Sequence, residues 1–115
     1  MKNISILITT VSNVSIGRSW IENEELIKYS NPEDVWFHID DCSSCHLVLK
    51  NPMNISIGKL DKKLIKRCAL LVKQHTSKCI QHEKYTIIYC NVDNLKLCGH
   101  GSVEFLSERV KYVTV

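Results

Sequence analysis

Residues 33–50 hold two of the five histidines, two of the six cysteines and one of the two tryptophans. Within them Cys42-Ser43-Ser44-Cys45-His46 matches the Cys-x-x-Cys-His pattern of c-type haem attachment, where two thioether cysteines and an adjacent proximal imidazole need that spacing. Five residues meet such a pattern by chance, and haem is attached beyond a membrane that nothing here is built to cross. Haem is therefore rejected. Zinc is the stronger metal alternative. Cys42 and Cys45 have the spacing of a zinc knuckle, His38 or His46 could add a ligand, and Cys79 with His82 forms another close pair. A nucleophilic Cys45–His46 pair oriented by Asp40 or Asp41 is the third chemistry. Adjacent residues of an extended chain point to opposite sides, however, so these two side chains cannot easily share a proton. No oxyanion hole is marked, and Gly99-His100-Gly101 is too short to cradle phosphate. The expectation is a non-catalytic chain with no cofactor.

The elements that must position these groups follow from periodicity. Val35, Phe37 and Ile39 alternate with Trp36 and His38, the period of a strand, and Leu47-Val48-Leu49 is a second apolar run. Asp40 to Cys45 is turn chemistry, which sets His38 and His46 at the two ends of one loop. Upstream, a strand is expected over 4–10, then Asn13 to Gly17 turn and enter a second short strand, and a short helix over 22–29 is capped by Asn23. Ser30-Asn31-Pro32 ends that helix, because the residue before proline leaves helical space. The longest helix is expected over 62–75 with Asp61 as its cap. It buries Leu64, Ile65, Cys68, Ala69, Leu71 and Val72, and turns Lys62, Lys63, Lys66, Arg67 and Lys73 outward. Ser77 to His82 is a connector. Strands are expected at 85–89, 95–97, 103–106 and 110–115. Together these predict an α+β fold, a mainly antiparallel sheet with one long and one short helix packed on one of its faces.

A chain of 115 residues makes a single domain, 1–115, with an ordinary apolar content of 44%. Net charge is only +3, but residues 59–78 hold seven Lys and Arg against one Asp, which implies one basic face. Such an array suits phosphates, and aromatic or imidazole groups nearby could stack on bases. The apolar run Ile4–Ile8 is broken by Ser5 and too short for a secretory signal, and no stretch approaches a membrane span. No membrane partner, reduced thiols and a cytoplasmic location are expected, the nucleus being the other option. Frequent Ile, Lys and Asn suggest an A/T-rich genome, as in a protist or a large DNA virus.

Asp34-x-Trp36-Phe37-His38, followed at fixed distance by Ser44-x-His46 and apolar residues, resembles the signature of the NFACT-R domain family. The similarity extends over about residues 16–115. It takes in Gly17, the Asn23-Glu24 pair and Leu26 upstream. Downstream it takes in residues 68–73, the strand at 85–89, Asn94-Leu95-Lys96, residues 101–105 and the terminal strand. Within the family the chain is most similar to small stand-alone proteins of the coiled-coil-domain-containing type, rather than to the large ribosome quality-control factors. The resemblance implies an α+β domain that binds nucleic acid, chiefly RNA, in translation-linked settings, with no catalysis and no cofactor. RNA or DNA held through phosphate contacts, and a ribosome or tRNA, are the partners it suggests. It carries over Asp34, Trp36, His38 and His46 as the site-forming cluster and Lys96 as a basic partner. In the expected mode of binding, Lys50, Lys62, Lys66, Arg67 and Lys96 meet phosphates, and His38 and His46 take a phosphate or a base edge. Trp36 stacks on a base or packs beneath. The structural alternative is that the two histidines bond to each other, to Asp34 or to Asp40, and simply pin the loop. A protein partner in the same cleft, or a small zinc-stabilised domain, are the functional alternatives.

Overall fold

Strand alternation decides this architecture. In the computed structural model, which describes residues 5–6, 13–40, 42–76 and 84–115, the elements are β1 (Ser5–Ile6), β2 (Val14–Gly17), α1 (Trp20–Lys28), β3 (Val35–Ile39), β4 (His46–Leu49), α2 (Lys62–Gln74), β5 (Thr86–Asn91), β6 (Leu95–Gly99), β7 (Ser102–Phe105) and β8 (Lys111–Thr114). Six strands form one sheet in the order β1-β2-β4-β3-β5-β8, every pair antiparallel, and β6 and β7 form a separate hairpin. The fold is α+β and sheet-dominated, as the periodicity implied.

Side chains of successive strand residues point to opposite faces, and the two faces of this sheet carry two cores. Val35, Phe37, Ile39, Leu47, Leu49, Ile87 and Tyr89 pack with Ile65, Cys68, Ala69 and Val72 of α2. Trp36, Val48, Ile88 and Cys90 pack with Leu26 and Ile27 of α1 and with Leu95, Leu97 and Val103 of the hairpin. The helices therefore lie on opposite faces, not on one. The sheet is buried from both sides, which explains why β4 reads as a continuous apolar run rather than an alternating one.

The long helix forms where expected. Asp61 caps it by accepting from the Lys63 N–H, and Lys62, Lys63, Lys66 and Arg67 are exposed, whereas Lys73 is half-buried with its Nζ over the Tyr85 ring. The short helix begins two residues earlier than expected. Ser19, not Asn23, is its cap, with Ser19 Oγ accepting from the Glu22 N–H (3.2 Å) and the Glu22 carboxylate reaching back to the Arg18 N–H (3.0 Å). That is a capping box displaced by one residue. Asn23 falls inside the helix and against Gly17. A Cβ at Gly17 would stand 2.5 Å from Asn23 Oδ1, so only glycine permits this approach. Among the described residues no helix is long and apolar enough to cross a membrane. Of the strand expected over 4–10, Ser5 and Ile6 are described; the connector with Lys78, Cys79 and His82, together with Asp41, lies outside the described residues.

Candidate functional site

A cleft of about 780 Å³ opens on the α1 side of the sheet. Its floor is β3 and β4 at Trp36, His38 and His46; its walls are the start of α1, the β6–β7 hairpin and residues 42–45; its far rim is His75 and Thr76 at the end of α2. Trp36, His38 and His46 share one face because β3 and β4 pair in antiparallel register and all three have the same strand parity.

Trp36 is 1% exposed, so it cannot meet a base and packs beneath the site instead. Its indole N–H, which can only donate, bonds to His46 Nδ1 (3.1 Å). His46 is thereby fixed as the neutral tautomer with its proton on Nε2. Burial, with a smaller contribution from His38, pushes its pKa down to about 3. The His38 ring lies flat on the Trp36 indole, 5.4 Å between centroids and 13° between planes. His38 Nδ1 is 2.6 Å from the Ile39 carbonyl oxygen, which can only accept, so Nδ1 carries the proton and Nε2 is left as an acceptor. Burial, opposed by that bond and by Asp40, holds the His38 pKa below the usual histidine value.

The two rings meet edge to face at 4.9 Å without a hydrogen bond between them. They are held by Trp36 and the Ile39 carbonyl rather than by each other, Asp34 or Asp40. The one buried side-chain polar atom without a partner among the described residues is Asn23 Oδ1. The unbonded Nε2 atoms of His38 and His46 are thus open to the cleft. The site presents a donor beside an acceptor, both uncharged.

Charge enters at the rim. Arg18, exposed and next to the α1 cap, donates from Nη2 to His75 Nδ1 (3.4 Å). Burial first and the Arg18 charge second lower the His75 pKa. Arg18 and Asp40 are the charged side chains among the described residues lining the cleft. The hairpin closes the opposite wall. Gly99, His100 and Gly101 all have positive φ (100°, 52° and 78°), and the Gly101 N–H donates to the Glu24 carboxylate (3.1 Å). A Cβ on Gly101 would lie 3.1 Å from Trp20 Cα, so the missing side chain is what lets the hairpin dock on α1. Docking sets His100 edge to face against Trp20 (5.0 Å), and Trp20 remains half exposed.

The other expected site residues lie elsewhere. Asp34 is fully buried outside the cleft, with one carboxylate oxygen accepting from the Asn51 N–H (2.9 Å) and the other from the Asn31 N–H (2.9 Å). It ties the loops before β3 and after β4 together. Lys50 is at the far end of β4 from His46, ~13 Å away at the usual strand rise. Lys62 lies ~20 Å along α2 from His75, and Lys66 and Arg67 lie ~13 Å from it. Lys96 is exposed on β6, opposite Glu104 of β7. The signature histidines come together; the basic residues do not join them.

The cysteines do not form a knuckle. Cys45 Sγ turns into the end of α2, 3.6 Å from the Val72 carbonyl oxygen and from Thr76 Oγ1, and burial raises its pKa. Cys42 is disulfide-bonded, whereas Cys45, Cys68, Cys90 and Cys98 are free, so the expectation of reduced thiols fails at Cys42. Among the described residues no group of three or more His, Cys, Asp or Glu side chains could hold a metal ion. Sequence reasoning missed Arg18, Trp20 and His100. The Ser19-x-x-Glu22 pattern could have placed the start of α1, and with it the first two. Nothing local marked His100 as their neighbour.

A two-sided antiparallel sheet with a histidine-floored cleft defines the class, and comparison gives the family. Residues 8–106 match the NFACT protein RNA binding domain, and the chain belongs to that family. It is 35% identical over 115 residues to coiled-coil domain-containing protein 25 of Danio rerio, covering 96% of this chain and 56% of that one. To the Dictyostelium discoideum homologue of that protein it is 37% identical over 102 residues (85% and 50%). To protein JLP2 of Saccharomyces cerevisiae it is 32% identical over 107 residues (88% and 51%). The chain thus spans about half the length of these relatives. Its fold is similar to the C-terminal part of the fibronectin/fibrinogen-binding protein from Streptococcus suis, with a TM-score of 0.72 at 20% identity over 89% of this chain and 39% of that one.

Proposed function

We propose that the domain is a non-catalytic RNA-binding module whose ligand enters the cleft over His38 and His46. The observation that carries this reading is the pair of open Nε2 atoms, held in fixed and complementary roles by the Trp36 N–H and the Ile39 carbonyl. A pair used only to pin the loop would spend its polar atoms on protein partners. Arg18 meets a phosphate at the cleft mouth, and Lys50, Lys62, Lys66, Arg67 and Lys96 offer further phosphate contacts along the path of a bound strand. The buried, protonated Cys45 and the neutral imidazoles lack an activated nucleophile, in keeping with a binding role. A translation-linked setting, with a ribosome or tRNA as the larger partner and a cytoplasmic location, belongs to the same proposal. A protein partner is the second reading, favoured by the exposed Phe105, Leu106 and Tyr112 beside the cleft.

The test is titration of the domain with RNA and DNA at two salt concentrations, beside a folded His38→Ala/His46→Ala variant. Salt-sensitive RNA binding that drops in the variant supports the proposal. Absence of binding to any nucleic acid at low salt overturns it and leaves the protein-partner reading.

A further inference from the structure

On the proposal that the cleft binds RNA, we infer that it takes a single unpaired nucleobase, with the sugar-phosphate left at the rim beside Arg18. Phosphate oxygens accept only, so a phosphate pocket needs donors and positive charge. This cleft floor offers a donor at His46 Nε2, an acceptor at His38 Nε2 and the carboxylate of Asp40 close by. The acceptors would repel a phosphate. A base suits them, because every base carries donors beside acceptors on an edge.

The walls add the stacking surfaces that a base needs. Trp20 is 50% exposed with His100 against its edge, and Phe105, edge to face on Trp36 at 5.8 Å, is 39% exposed. Half-exposed aromatic rings flanking the floor offer faces on which a base can stack, and base–aromatic stacking is indifferent to sequence. The cleft volume of about 780 Å³ lies within the range of small-ligand sites, ~300–1,000 Å³. Access decides between single and double strands. His46 is 4% exposed, so a base must leave its helix to reach it, and in a duplex the matching edges are already paired. Arg18, tied by His75 and lying at the mouth, is placed for the phosphate that follows the inserted base. The same chemistry could be supplied by a base in a strand or by a free nucleotide.

The deciding experiment compares four probes at one low salt concentration: a single-stranded oligoribonucleotide, the same strand in a blunt duplex, a strand of equal length with abasic riboses, and nucleoside 5′-monophosphates. Each is titrated against the wild type, Trp20→Ala and His38→Ala, with folding checked by circular dichroism. The single strand should bind about tenfold more tightly than the duplex or the abasic strand. Loss of one stacking ring in Trp20→Ala should weaken single-strand binding by about fivefold or more, while duplex binding stays unchanged. Saturable binding of monophosphates that is lost in His38→Ala also upholds the base site, with a free nucleotide as its occupant. Equal affinity for all three strands, unaffected by Trp20→Ala, overturns the base site while RNA binding stands. No binding of any probe removes both.

Discussion

Acidification should destabilise this domain through His46. His46 has an unfolded-state pKa near 6.5, and in the fold burial pushes it down to about 3. Below pH 6.5 the unfolded chain therefore takes a proton that the folded one refuses. Stability is intact above that value, falls as pH drops through the interval, and has lost the full amount below about pH 3. Each pH unit inside the window costs ~1.4 kcal/mol, so moving from pH 7 to pH 4.5 removes about 2 to 3 kcal/mol through His46 alone. The geometry supplies the reason. Trp36 Nε1–H occupies the Nδ1 lone pair at 3.1 Å, and a proton there would face another N–H with no water to separate them. His46→Asn isolates the effect, since an Asn oxygen keeps an acceptor for the indole and has nothing to titrate. Urea unfolding of both proteins at pH 7, 5.5 and 4.5 should show the wild type losing about 2 to 3 kcal/mol more than the variant across the series. His38 and His75, whose lowered values act in the same direction, remain in both proteins, so the difference between the curves reads His46 and its coupling to His38. Parallel pH curves for the two proteins would refute the assigned tautomer and its cause.

Asp34→Ala should cost about 2 to 4 kcal/mol in urea unfolding, because it strips the Asn51 and Asn31 N–H groups of their acceptor. RNA affinity of the folded fraction should be unchanged, since Asp34 lies outside the cleft. Gly101→Ala should cost at least ~1 kcal/mol for left-handed backbone, and should also weaken single-stranded RNA binding by pushing the hairpin off Trp20. Gly99→Ala, at φ 100° with nothing within 4 Å of the added Cβ, should lower the melting temperature and leave affinity intact. Arg18→Ala should reduce the slope of log K against log salt by ~0.7 for a single strand, and Lys62→Ala should do the same where the strand runs along α2.

The sheet and α2 were legible because their signals are local and agree. Alternation at Val35–Ile39, the i, i+3, i+4 spacing of Ile65, Cys68, Ala69 and Val72, and Asp61 ahead of them each point to the element that forms. Which face each helix covers was not legible. Both faces of β4 are buried, so its composition has no polar side to tell them apart. The start of α1 was misplaced because Asn23 is a good capping residue in isolation, whereas Ser19 accepts from the Glu22 N–H and Glu22 in turn fixes the entering chain at the Arg18 N–H. The motif marked His38 and His46 correctly as neighbours but could not give their charge, which depends on the indole beneath them. The basic run at 59–78 implied a phosphate surface beside the histidines. Lys62, Lys66 and Arg67 instead stand ~13 to 20 Å along α2 from the cleft rim at His75, and composition contains no distance.

On the proposed reading, that separation changes what the histidines are for. If the lysines of α2 ringed the cleft, positive potential would draw phosphates onto the imidazoles, and neutral rings would be a waste of the site. Here the cleft sits between α1, the hairpin and the end of α2, with Arg18 as its described cation and Asp40 balancing it. Protonated histidines could still have made it cationic. The Trp36 N–H prevents that at His46, and burial resists it at His38. A buried tryptophan that gives its polar atom to a histidine costs the protein a donor and fixes a tautomer. What it gains is a hydrogen-bonding edge that stays uncharged throughout the physiological pH range. On the proposed reading, affinity from charge is spread over exposed lysines, where salt tunes it, while the cleft would select by hydrogen-bond pattern.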